Sequence, residues 1–162
     1  MKKIIAGILT AFILLLLVIQ LLPLGKQHDN PPVVQEPGWD SPQTRQLAQR
    51  ACFDCHSNET IWPWYSYVAP ISWLIARDVR EGRERLNFSE WGQGEQEVEE
   101  VGEVVRQGSM PPNYFLITHP AARLSPAEKE ALIKGFSATF GVSGFERGED
   151  GEGGEEDGEG GD

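Results

Sequence analysis

The pentapeptide Cys52-Phe53-Asp54-Cys55-His56 holds both cysteines of the 162-residue chain and one of its three histidines. Its spacing carries a definite chemistry. Two thiols three residues apart on one turn reach two vinyl groups on one edge of a porphyrin, and the next residue projects its imidazole toward the iron. Cys-x-x-Cys-His is accordingly the attachment sequence of a c-type haem. Cys52 and Cys55 are the expected thioether positions and His56 the expected proximal ligand, with one haem c per chain. Other chemistries also use paired cysteines. A thioredoxin-like redox pair sits near a βαβ pattern, and none is visible here. A structural zinc needs about four ligands; the motif supplies at most three, leaving His28 or His119 to complete the set. No third cysteine is present for a disulfide framework.

Working outward, Ser41-Pro42 predicts a helix with Ser as N-cap and Pro at its first position, running through Leu47 and Ala48 into the motif. Pro70 opens a second helix, in which Ile71, Leu74, Ile75 and Val79 make one apolar stripe. Its other face pairs Arg77 with Glu81 and Arg80 with Glu84 at i,i+4 spacing, and Gly82 is expected to end or weaken it. A third helix is expected from about Gln93 to Gln107, with Val98, Val101 and Val105 on one side and Gly108 as the stop. Ser125-Pro126-Ala127-Glu128 is a capping box, and Leu132, Ile133, Phe136 and Phe140 form the buried face of the helix it starts, closed by Gly141. No stretch alternates with period two, so the fold class is all-α.

An iron held by a proximal histidine takes a sixth protein ligand or keeps an open face. Met110 is the only methionine besides Met1, and it stands in Gly108-Ser109-Met110-Pro111-Pro112, after a helix and before an extended loop. The two prolines remove backbone donors and stiffen that loop. A His/Met pair raises the reduction potential, as in cytochromes c; the plainer role for Met110 is to fill a gap in the core. His119, in Thr118-His119-Pro120, is the rival distal ligand, and equally suits a loop histidine bonded to backbone or to a propionate. His28 lies in a tether and is a poor ligand candidate. Trp62, Trp64, Tyr65 and Trp73 are placed to wall a ring or to pack a core. Arg77, Arg80, Arg83 and Arg85 suit either propionate pairing or a solvated helix face.

The two ends of the chain are different in kind. Ile4 to Leu24 is a run of 21 residues without a charge, about 31 Å long as a helix and close to the ~30 Å hydrocarbon thickness of a bilayer. A cleaved signal peptide has an apolar region of about 7–15 residues and a small-x-small site; Leu22-Pro23-Leu24-Gly25-Lys26 offers none, so an uncleaved single-pass anchor is expected. Lys2 and Lys3 put its start in the cytoplasm and the rest of the chain on the periplasmic or outer side of the cytoplasmic membrane. Residues 25–39 read as a Pro-rich tether, 40–145 as the folded domain and 146–162 as an acidic Gly/Glu tail of disordered composition. That tail holds nine acids and one Arg, so eight of the chain's eleven net negative charges lie there. Nothing resembles the basic footprint of a nucleic-acid binder. The tail is suited to steering toward a basic partner such as another cytochrome, or simply to solubility.

The residues also resemble a known family, the small bacterial haem-binding domain proteins related to cytochromes c. The likeness runs through Ala51-Cys52-Phe53-Asp54-Cys55-His56-Ser57-Asn58-Glu59-Thr60, Trp62-Pro63-Trp64-Tyr65-Ser66 and Ala69-Pro70-Ile71-Ser72-Trp73. It continues in Gly82-Arg83, Leu86-Asn87-Phe88-Ser89-Glu90-Trp91, Met110-Pro111-Pro112, and His119 to Ser125. The resemblance implies a membrane-anchored, cytochrome c-like helical domain around one covalent haem, with His56 proximal and Met110 the leading distal candidate. The implied function is electron transfer outside the membrane, with redox proteins as partners and haem attachment machinery to load the group. A haem-based sensor or ligand-binding module is the alternative. A peroxidase-like enzyme would need an open iron and a distal acid–base group, for which only His119 is placed.

Overall fold

The computed structural model of the chain describes residues 1–142. The acidic tail, and residues 143–145 of the expected domain, lie outside the described residues. Seven α-helices are present in them: α1 (Lys2–Ile19), α2 (Pro42–Ala51), α3 (Phe53–His56), α4 (Ile71–Arg85), α5 (Val101–Arg106), α6 (Asn113–Thr118) and α7 (Pro126–Phe140). Short 3-10 turns at Trp64–Tyr67 and Pro120–Ala122 punctuate the chain. Among the described residues no strand forms; one isolated parallel bridge pairs Gln35 with Glu90. The helical class read from the periodicity is the one observed.

Caps set the helix starts where side-chain chemistry demands them. Ser41 accepts from the Thr44 amide to begin α2. At α7 the Ser125 hydroxyl and the Glu128 carboxylate satisfy each other's backbone donors reciprocally. Two expectations fail. The helix from about Gln93 shrinks to the six residues of α5, because the chain ahead of it is drawn elsewhere: the Gln96 side chain accepts from the Asn87 amide, and the Glu97 amide donates to the Arg85 carbonyl. The loop after Met110 is not extended throughout, since Asn113–Thr118 closes into α6.

The core lies between α2, α3, α5 and α7. Phe88 sits at its centre, with ring centroids 5.3 Å from Trp39, 5.4 Å from Phe53 and 6.0 Å from Phe136. Leu47, Ala48, Leu132 and Ile133 fill the space around these rings. Each large side chain buried here contributes roughly 1.5–3 kcal/mol. α4 packs on the far side of α3, and the Trp64–Tyr67 turn packs on α4. The short α3 is therefore held between the core and α4.

Candidate functional site

Cys52 breaks α2 from α3 with a non-helical backbone (φ −124°). Phe53 then plunges into the core. That anchor fixes the rotation of α3, leaving Cys52, Cys55 and His56 half-buried along its other faces. No disulfide joins the two cysteines.

Burial pushes both thiols up to about 12, and the nearby Asp54 and Asp78 carboxylates add to the effect at Cys55. A redox pair attacks as thiolate and needs the opposite shift. Among the described residues no group of three His, Cys, Asp or Glu side chains is placed to hold a metal ion. His28, the candidate to complete a zinc set, stacks on Trp62 at 4.2 Å and meets the Ser66 carbonyl at 3.1 Å. A thioether sulfur, by contrast, is uncharged and loses nothing by burial.

His56 is positioned from behind by α4. Its Nδ1 lies 3.0 Å from the Gly82 carbonyl and 3.0 Å from the Leu86 carbonyl. A ring nitrogen facing two acceptors must carry the proton, which leaves the Nε2 lone pair free. Burial holds the imidazole below its ordinary value, against a smaller opposing pull from the two carbonyls. A neutral ring, oriented by its other nitrogen, is the form in which histidine ligates a metal. Gly82 makes this possible, and α4 continues through it to Arg85 instead of ending there. A Cβ at that position would stand 2.5 Å from the Cys55 carbonyl oxygen. The glycine is an approach site on the helix's buried stripe, not a stop.

The Asn87-Phe88-Ser89-Glu90 stretch closes the back of the motif. The Phe88 amide donates to the His56 carbonyl, and the Ser89 hydroxyl accepts from the Asn58 amide. Asn87 and Glu90 accept or donate across the same turn, through the Asn58 side chain. Arg83 crosses above it, donating to the Ser57 carbonyl, the Thr60 hydroxyl, the Asp29 carbonyl and the Asn30 side chain. It straps the loop after the motif to residues 29 and 30. Arg77 and Arg80 pair with Glu81 and Glu84 as their spacing predicts, and Arg85 faces Glu97.

Met110 and α6 are held more loosely than the motif. Met110 is 40 % exposed, so it fills no gap in the core. Its amide donates to the Val104 carbonyl, tying the loop to α5. α6, which follows, buries none of its side chains and packs on the Pro120–Ala122 turn, not on α3 or α4. Its link across is the Tyr114 hydroxyl, which donates to Asp78 at 2.9 Å. That bond spans from the Met110 side to the helix that holds His56. His119 sits at the other end of α6, stacked on Phe115 at 4.0 Å, with Nδ1 near the Phe115 carbonyl and Thr118 hydroxyl. Of the aromatics near the motif, Trp62 stacks on His28 and bonds Asn30, while Trp64 and Tyr65 meet edge to face. Trp73 is half-buried on α4. Asp78 and Tyr114 had no local signature in the sequence; Gly82 did, as a glycine in register with Val79 on a buried stripe.

Comparison with known proteins gives one result of weight. A model of a haem-binding domain matches residues 14–138, from within α1 almost to the end of α7. No curated protein and no solved structure matches the chain. The chain belongs to the haem-binding domain family.

Proposed function

We propose that this member of the haem-binding domain family is a membrane-anchored, mono-haem c-type cytochrome that passes electrons on the periplasmic side of the cytoplasmic membrane. Cys52 and Cys55 hold the haem as thioethers, His56 is the proximal ligand and Met110 the distal one. The observation that carries the reading is the geometry of His56: its Nδ1 is held by two carbonyls 3.0 Å away, leaving Nε2 free, in the residue directly after Cys55. Haem bound there supplies one-electron chemistry, at a potential raised by a methionine ligand. The residues around it do the rest. The Gly82 and Leu86 carbonyls fix the imidazole's tautomer and raise its basicity. Phe88, fully buried with its ring centroid 6.4 Å from that of His56, keeps water from behind the imidazole. The Tyr114–Asp78 bond holds the α6 side toward α4.

A second reading, a sensor or ligand-binding module with a labile distal side, is favoured by the exposure of Met110 and of α6. A peroxidase-like enzyme draws less support, because His119 Nδ1 is engaged within its own helix end. Optical spectra of the ferric and ferrous full-length protein, before and after carbon monoxide, separate these. An electron carrier stays low-spin in both states and resists carbon monoxide, and only Met110→Ala opens the iron. Rapid binding by the wild type would assign the sensor instead.

A further inference from the structure

We propose that the surface formed by Trp64, Tyr67 and Val68 seats in the lipid headgroup layer, holding the domain against the bilayer in one orientation instead of letting it swing from a tether. The inference rests on the reading of α1 as an uncleaved membrane anchor. It is carried by how the chain leaves α1.

No free linker separates α1 from the domain. The Gln20 side chain, at the helix end, donates to the Ala69 carbonyl at 2.9 Å and accepts from the Ala69 amide at 2.9 Å. Lys26 donates back to the Gln20 carbonyl. Gly25 (φ +66°) passes so close to α4 that a Cβ would stand 2.6 Å from the Ser72 oxygen and 2.9 Å from the Trp73 Cα. His28 then reaches the Ser66 carbonyl and stacks on Trp62. Four contacts thus fix residues 64–73 at the level where α1 ends.

That level is the membrane boundary. The 18 residues of α1 span about 27 Å, slightly less than the ~30 Å hydrocarbon thickness. The exposed Leu21, Leu22 and Leu24 that follow extend the apolar surface toward the domain. On the stretch that Gln20 ties to the end of α1, Trp64 is 78 % exposed and Tyr67 55 % exposed, with Val68 also open. Tryptophan and tyrosine are the side chains enriched at membrane–water interfaces, where the ring is half in lipid and the polar tip is wet. Residues 60–76 carry no charged side chain at all, so nothing on this stretch resists contact with lipid. On this account residues 25–39 work as a clamp.

The test is photo-crosslinking in the full-length, haem-loaded chain, reconstituted in phosphatidylcholine–phosphatidylglycerol vesicles. The photoreactive amino acid p-benzoylphenylalanine is placed in turn at positions 12, 64, 67 and 138, and each variant is required to keep the wild-type haem spectrum. Phe12 lies in α1; Ala138 is exposed on α7, which packs on α2 and α5. Lipid adducts at 12 and at 64 or 67, with none at 138, are expected. Adducts at 12 alone leave the anchor standing and overturn the seating surface, as do crosslinks from 64 and 67 to a second protein chain. No adduct at 12 overturns the anchor and the seating surface together.

Discussion

On one side of His56 the chain is bonded at every step: two carbonyls hold the ring, Phe88 and Ser89 hold the turn behind it, and Arg83 straps the loop that follows. On the other side, among the described residues, a single hydrogen bond joins α6 to α4, and α6 buries nothing. The same small domain therefore carries a pre-set face and an adaptable one. Stiffness behind a ligand fixes its geometry and basicity. Substitutions behind His56 should cost folding stability, and those in front should change reactivity while sparing the fold.

The largest effect is expected at the hub of the stiff side. Phe88→Ala removes the ring that four other aromatic side chains pack around, and should cost about 3–5 kcal/mol of unfolding free energy in denaturant titration. Gly82→Ala forces α3 and α4 apart at Cys55 and should cost on the order of 1–3 kcal/mol; its haem spectrum should also change, since the carbonyl behind His56 moves. If both left stability untouched, the contrast between the faces would be broken. Tyr114→Phe removes the link across the loose side and should cost about 0.5–1.5 kcal/mol, with faster carbon monoxide binding as its clearer sign. Met110→Ala should change the stability of the haem-free chain by less than about 0.5 kcal/mol, as for a partly exposed side chain, yet lower the reduction potential and open the iron of the haem-loaded one.

Acid sharpens the same contrast. Glu36 joins Arg45 and Trp39 to the stiff side, and its carboxyl is held below the ordinary value chiefly by the Arg45 hydrogen bond. A depressed carboxyl adds stability that is present above its unfolded pKa, about 4.3, and is lost as pH falls through the folded value. Denaturation midpoints should therefore drop below pH 4.3 in the wild type, and less steeply in Glu36→Gln.

How much of this was legible in the sequence follows from the range of each interaction. Ser41-Pro42 and Ser125-Pro126-Ala127-Glu128 are local chemistry, and both helix starts sit where those residues put them. The Cys-x-x-Cys-His spacing is local in the same sense. Gly82 was misread because a helix-interior glycine looks like a weakness until the Cys55 backbone is seen against it. The truncation of the helix before Val101 and the Tyr114–Asp78 bond depend on partners 9 and 36 residues away, which periodicity does not register. Residues 25–39 have the composition of a linker, yet their backbone and side chains are bonded to Ser66, Thr60 and Ser89.

The central claim is that Cys52 and Cys55 carry a haem by thioether bonds in front of His56. Intact-mass measurement of the denatured full-length chain, from cells able to attach haem c, tests it most directly. The account predicts a mass greater by one haem, lost in the Cys52→Ala/Cys55→Ala double variant. An unmodified chain from which acid and organic solvent release all the haem would contradict it.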